Sequence, residues 1–122
     1  MSTVLVVEDD PNVRGLLQTL LLSEGYTVVT ADDGIGGLLK ASTSAPSLIL
    51  LDVMMPDLGG IRVLDELQAD PALQAVPVMV VTGTVDAVPM LRERIGEDNV
   101  VVKPFGVEAL LARVRELIGE SA

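Results

Sequence analysis

The chain has 122 residues, of which 49% are hydrophobic, and this composition is typical of one packed domain rather than a disordered segment. Its 18 acidic and 8 basic residues give a net charge of −10, which argues against direct binding to nucleic acid or to anionic membranes. The absence of cysteine excludes disulfides and thiolate chemistry, and no apolar stretch is long enough for a signal peptide or a membrane span. We therefore expect a cytoplasmic protein.

The first half of the chain alternates short apolar runs with patterns of helical spacing. A strand is predicted over about residues 3–8, followed by a helix that begins at Pro11 and ends before Gly25. The more polar run 27–31 is predicted to be an edge strand. Asp33 is suited to cap a second helix, which three glycines in its first half are expected to loosen.

The third and fourth strands are predicted from short, wholly apolar runs. The third ends at Asp52, and a loop containing Pro56 leads to a helix that Asp70-Pro71 terminates. The fourth strand runs to Thr82. Runs this short and this rich in β-branched residues are typical of parallel strands that are buried on both faces.

The last two helices differ in how strongly the sequence predicts them. Pro89 disfavours a helical Val88, so the fourth helix is expected to begin no earlier than Pro89 and to end at Gly96 after about two turns. The last strand ends at Lys103, and a clear amphipathic helix follows it. Five strand–helix units with right-handed crossovers predict an α/β fold, a doubly wound three-layer sandwich.

Polar residues follow directly after four of the five strands. They are Glu8 and Asp9, Asp52, Thr82, and Lys103. Since parallel strands end at the same edge of a sheet, and ligands of open α/β sheets bind at that edge, we expect these side chains to meet there. Three carboxylates, a hydroxyl and an ammonium group suit a hard cation together with a phosphoryl group.

The three carboxylates predict a cation site. Two carboxylates about 4 Å apart repel by roughly 4 kcal/mol at an effective dielectric constant of about 20. Such a cluster must take up protons or bind a cation. Oxygen ligands suit Mg2+, which commonly uses only one or two carboxylates and keeps several waters.

Four segments together resemble the motifs of response regulator receiver domains, such as the chemotaxis regulators. They are the acidic opening Val6–Pro11, the phosphoacceptor motif Leu51–Pro56, the hydroxyl position in Val81–Gly83 and the lysine motif Val102–Phe105. The resemblance covers essentially the whole chain and implies one receiver domain over residues 1–122. It also implies a flavodoxin-like fold whose five-stranded parallel sheet has the order 2-1-3-4-5, with five helices.

The resemblance also implies roles for the strand-end residues. Asp52 would accept the phosphoryl group, and Thr82 and Lys103 would contact it. Asp9, Asp52 and the backbone carbonyl of Met54 would bind Mg2+ directly, with Glu8 acting through a water. The Lys103-Pro104 peptide bond is expected to be cis.

The partners that the resemblance implies are a sensor histidine kinase or phosphotransfer protein and a downstream effector protein or domain. Homodimerisation on phosphorylation, through the fourth and fifth helices, is a further family expectation. The protein would not be an enzyme in the usual sense, although it would assist its own phosphorylation and dephosphorylation. Val100 stands where many receivers carry a Tyr or Phe that rotates on activation. This chain therefore lacks the aromatic side chain whose rotation would signal the phosphorylated state.

Two other functions are possible alternatives on the same residues. A docking module that never carries phosphate would have no need of Asp9, Thr82 and Lys103. A phosphatase working through an aspartyl phosphate commonly has a second carboxylate two residues after the first, where this chain has Met54. Simpler structural roles are expected for four further residues: solvated loop carboxylates at Asp10 and Asp57, core packing at Phe105 and gap filling at Met55.

Overall fold

Strands and helices alternate along the residues that the computed structural model describes, 2–54 and 59–118. The strands are β1 (Thr3–Val7), β2 (Thr27–Ala31), β3 (Leu48–Leu51), β4 (Val78–Thr82) and β5 (Val100–Val102). The helices are α1 (Pro11–Ser23), α2 (Gly34–Ser44), α3 (Gly60–Ala69), α4 (Val88–Ile95) and α5 (Val107–Ile118), with a 3-10 turn at Glu97–Asn99 before β5.

The five strands form one parallel sheet in the order β2-β1-β3-β4-β5, as the family resemblance implied. The polar run 27–31 is indeed an edge strand. Side chains of successive strand residues point to opposite faces, and the core accordingly divides into two clusters. One contains Leu5, Ile49 and Val80 under α2, α3 and α4, and the other contains Val4, Leu50 and Met79 under α1 and α5. This is the predicted three-layer sandwich.

The fourth helix begins at Val88, so the prediction that it starts no earlier than Pro89 was wrong by one residue. The preceding Ala87 already has helical backbone angles, and the Val88 side chain is buried in the core. Burial of an aliphatic side chain is worth about 1.5–3 kcal/mol, which outweighs the backbone preference of a residue before proline. The predicted length of about two turns and the end at Gly96 are confirmed.

The glycines of α2 serve helix-to-sheet packing. The helix is continuous from Gly34 to Ser44 and is capped by Asp33, whose side chain accepts a hydrogen bond from the Gly36 N–H. A Cβ atom on Gly37 would lie 2.8 Å from Cγ1 of Val7. Glycine at position 37 therefore lets α2 pack closely on β1 at Val7, the residue that precedes Glu8.

Three residues predicted to lie in the loop after Asp52 fall outside the described residues: Met55, Pro56 and Asp57. The last four residues, 119–122, fall outside them as well. Within the described ranges, no helix has the length and apolar character that crossing a membrane requires.

Candidate functional site

The carboxyl edge of the sheet holds the predicted polar residues in fixed backbone positions. Hydrogen bonds continue the strand pairing one residue past the strands, from Glu8 N to the Ala31 carbonyl (3.0 Å), from Asp52 N to the Val7 carbonyl (3.0 Å), and from Lys103 N to the Thr82 carbonyl (2.8 Å). The Lys103-Pro104 peptide bond that follows is cis, as the resemblance implied. The side chains therefore leave a rigid platform rather than a free loop.

Three carboxylates converge at this edge. One oxygen from each of Glu8, Asp9 and Asp52 lies within 4.8 Å of the others. Glu8 and Asp52 are only 1% and 3% exposed, whereas Asp9 is half-buried. Negative charge is thus concentrated where little water can screen it.

Lys103 is the cation of this cluster. Its Nζ lies 2.9 Å from Oε1 of Glu8 and 3.4 Å from Oδ2 of Asp52. Burial by itself would lower the pKa of the Lys103 ammonium, but the two carboxylates outweigh burial and raise the pKa above its ordinary value. Lys103 therefore stays charged at physiological pH and faces the acceptor.

The surroundings of the buried Glu8 carboxylate favour its protonated form. Burial, followed by its contact with Asp52, raises the pKa of Glu8 from 4.5 to about 7, although the Lys103 ion pair acts in the opposite direction. Its Oε2 accepts a hydrogen bond from Asp10 N. No described donor reaches Oε1 with hydrogen-bond geometry, even though Lys103 lies close to it.

We expect this raised pKa to make the metal-free protein less stable as pH rises. Between pH 4.5 and about 7 the folded state keeps the Glu8 proton while the unfolded chain has released it. The contribution of Glu8 to the free energy of unfolding should therefore be fully present below pH 4.5 and be lost, by up to about 3 kcal/mol, as pH passes 7. Urea titrations in EDTA, followed by circular dichroism, measure this fall. A Glu8→Gln variant whose pH profile matched that of the unsubstituted protein would contradict the assignment.

Thr82 ends β4, the strand beside β3, and Met54 lies two residues after Asp52. The fully buried Thr82 hydroxyl accepts a hydrogen bond from Thr84 N (3.2 Å), so its own proton remains to be donated elsewhere. Met54 N donates to Oδ1 of Asp52 (2.9 Å), while the Met54 side chain is 59% exposed at the mouth of the pocket. Gly83 and Thr84 line the same pocket.

The residues present fit a divalent cation with oxygen ligands. The three carboxylates are close enough to share one ion, and the buried Oε1 of Glu8 has no hydrogen-bond donor among the described residues. A bound cation, directly or through a water, would satisfy such an oxygen. The donor set consists of oxygens alone, which is the set that Mg2+ prefers.

Two contributions to the site were not predicted. Asp10 is exposed, as expected of a solvated carboxylate, but its Oδ1 also caps α1 by accepting from Asn12 N and Val13 N. Arg14 reaches back from α1 to the acidic segment and donates to the carbonyls of Glu8 and Asp9. Arg14 is the single charged residue of α1, and this isolation was the signal available in the sequence.

The chain is similar to a known protein family over most of its length. The family model described as the response regulator receiver domain matches residues 4–115. The transcriptional regulatory protein CpxR homolog of Haemophilus influenzae is 40% identical, over 100% of this chain and 52% of that protein. The response regulator ArlR of Staphylococcus aureus is 36% identical, over 97% of this chain and 53% of that protein. The chain thus spans about half the length of these curated relatives.

Solved structures agree with the sequence comparison. The chemotaxis protein CheY4 of Vibrio cholerae superposes with a TM-score of 0.85 at 29% identity, covering 96% of this chain and 98% of that one. The receiver domain of the Francisella response regulator 1452 superposes with a TM-score of 0.86 at 28% identity, covering 98% of both chains. The likeness thus extends over nearly the whole chain in fold as well as in sequence.

Proposed function

The chain belongs to the response regulator receiver domain family of two-component signalling, and we propose that it accepts a phosphoryl group on Asp52 in a reaction that depends on Mg2+. The observation that carries this proposal is the convergence of the Glu8, Asp9 and Asp52 carboxylates with the Lys103 ammonium group at one sheet edge. We further propose that residues 1–122 act as one phosphoacceptor domain.

Asp9, Asp52 and the Met54 carbonyl would hold the Mg2+ ion directly, and Glu8 would hold it through a water. When bound, the ion offsets negative charge on the oxygens of the phosphoryl group. Together with Lys103 it balances the charge of the three carboxylates, so a dianionic group can enter the pocket. The near-complete burial of Glu8 and Asp52 supports this assignment, since two buried carboxylates need such compensation.

In the proposed reaction, an Asp52 carboxylate oxygen attacks the phosphorus of a phosphohistidine in line with the leaving nitrogen. A P–O bond forms, the P–N bond breaks, and the electron pair returns to the imidazole. Lys103, already charged and 3.4 Å from Asp52, stabilises the equatorial oxygens. The Thr82 hydroxyl donates a hydrogen bond to a phosphoryl oxygen in the product, and this bond would draw the end of β4 towards the site.

The phosphoryl donor would be a sensor histidine kinase or a phosphotransfer protein, and the output a downstream effector protein or domain. The Haemophilus relative, about twice as long, is a transcriptional regulatory protein by name. The net charge of −10 argues that any action on nucleic acid passes through such an effector and not through this domain itself. Phosphorylation would also favour a homodimer, although Val100 replaces the usual aromatic switch residue.

Incubation with acetyl phosphate, with Mg2+ or with EDTA, tests the proposed function. We expect the intact mass to increase by one phosphoryl group per chain in Mg2+ and to stay unchanged in EDTA. A docking module would gain no mass in either buffer. A phosphatase would release phosphate continuously from added phosphomonoesters, and either result would overturn the proposal.

Met54 should make the phosphorylated protein long-lived. A thioether cannot orient a water for attack on phosphorus, whereas an amide at the same exposed position can. We expect Met54→Asn to speed the loss of phosphate about tenfold, the effect of one hydrogen bond that lowers the barrier by about 1.4 kcal/mol. Mass spectrometry after donor removal measures the rate, with Met90→Asn on α4 as the matched control. A lifetime of seconds that Met54→Asn left unchanged would contradict this role.

A further inference from the structure

Arg14 lies in the first part of α1, and its side chain turns back towards the end of β1. Its NH1 group donates to the Glu8 carbonyl oxygen at 2.9 Å and to the Asp9 carbonyl oxygen at 3.3 Å. One guanidinium nitrogen therefore holds the main-chain carbonyls of two successive acidic residues. The side chain is half-buried, so these bonds are partly shielded from water.

The position of Arg14 is unfavourable for the helix that carries it. A positive charge near the amino end of a helix is repelled by the helix dipole, at a cost that acidic residues in the first turn usually offset. The Asp10 carboxylate that caps α1 offsets part of this cost, but the first turn itself contains no acidic residue and the last turn contains no basic one. Where a residue breaks a local rule in this way, its function is found in its tertiary contacts, and here those contacts are the two carbonyls.

The two hydrogen bonds from Arg14 complete the restraint of the main chain at Glu8–Asp10. Glu8 N is tied to the Ala31 carbonyl, and Asp10 N is tied to Oε2 of Glu8. With both carbonyls held by Arg14, the peptide units of Glu8 and Asp9 have fixed orientations. The direction of each side chain follows from its backbone, so the Glu8 and Asp9 carboxylates are held in their approach to Asp52.

We propose that Arg14 is a positioning residue for the cation site, which raises Mg2+ affinity by holding the Glu8 and Asp9 main chain. This inference rests on the proposed function, since it requires the carboxylate cluster to bind Mg2+. The direction in which Mg2+ affinity changes when Arg14 is removed distinguishes two roles. If Arg14 acted only through its charge, it would repel Mg2+, and its removal would tighten binding. If it positions the ligands, its removal weakens binding.

Titration calorimetry of the full chain with MgCl2 tests the inference. Residues that orient metal ligands typically contribute 10- to 100-fold to metal affinity, so we expect the Kd of Arg14→Met to rise at least about tenfold. Arg14→Lys should give partial rescue, because an ammonium group one bond shorter can reach a carbonyl less well. Arg92→Met removes the same charge from an exposed position on α4 and should leave the Kd within about twofold.

The free energy of unfolding in EDTA, measured on the same variants, separates positioning from a purely structural role. An Arg14→Met protein that is less stable but binds Mg2+ with unchanged or tighter Kd would overturn the inference. If Arg14→Met fails to fold, Arg14→Lys is measured instead, and an unchanged Mg2+ Kd in that variant would also overturn the inference. If the unsubstituted protein binds no Mg2+, the proposed function fails and this inference fails with it. If it binds and the Arg14 variants match it, only the inference fails.

Discussion

Asp52→Asn is expected to abolish phosphoryl incorporation from acetyl phosphate and from any histidine phosphodonor. The amide keeps the size of the carboxylate and can still accept the hydrogen bond from Met54 N, but its oxygen is a poor nucleophile. Intact mass after incubation in Mg2+ measures the loss. Asp98→Asn, an exposed change in the turn before β5 at the opposite edge of the sheet, should retain full incorporation.

The same variant should be no less stable than the unsubstituted protein in EDTA at pH 8. Neutralising Asp52 relieves two repulsions, with Glu8 and with Asp9, each of at most about 4 kcal/mol, and removes only one attraction, to Lys103. Inactivity combined with unchanged or higher stability would locate the effect in the chemistry and not in the fold. Incorporation that persisted in Asp52→Asn would show that another residue accepts the phosphoryl group.

Lys103→Met is expected to slow phosphoryl incorporation by about 10²- to 10³-fold, the usual cost of removing one group that stabilises a transition-state charge. The Mg2+ affinity of the Lys103→Met protein, in contrast, should rise. The Lys103 ammonium lies within 3.4 Å of both Glu8 and Asp52 and competes with the metal for the same negative charge. Incorporation is measured by mass over time, and Mg2+ binding by calorimetry.

Lys40→Met provides the matched control for Lys103→Met, because Lys40 is the other of the two lysines in the sequence and lies exposed on α2. It should leave both the rate and the Mg2+ affinity within about twofold of those of the unsubstituted protein. If Lys103→Met lost Mg2+ binding along with the reaction, Lys103 would be supporting the site's structure and not stabilising the charge of the phosphoryl group.

Local pattern predicted most of the fold because short apolar runs and their terminating polar residues are local features. Helix α1 begins at Pro11 and β2 spans 27–31, as predicted. Asp52 and Lys103 directly follow β3 and β5, and Thr82 is the last residue of β4, again as predicted. The start of α4 was predicted wrongly, because burial of the Val88 side chain stabilises the helical conformation there. That burial depends on the fold and cannot be inferred from the neighbouring residues. The close packing of Gly37 on Val7 was equally invisible in the linear sequence.

The candidate site divides in the same way. The residue types and their positions at strand ends come from the sequence, and they were enough to predict an acidic cation site with a lysine beside it. Distances and burial come only from the folded chain. The raised pKa of Glu8 and the contacts of Arg14 depend on the residue types and on the folded structure together. Each involves groups that lie on different elements and are brought together by the fold.

The sequence alone determined that acids, a hydroxyl and an amine stand at the carboxyl ends of buried parallel strands, because strand direction and side-chain alternation are properties of the local chain. Only the tertiary structure decided which acid is buried, which oxygen faces Lys103 and what holds the Glu8–Asp9 backbone. Those outcomes depend on the desolvation and spacing of groups that are distant in sequence, and no local pattern contains that information.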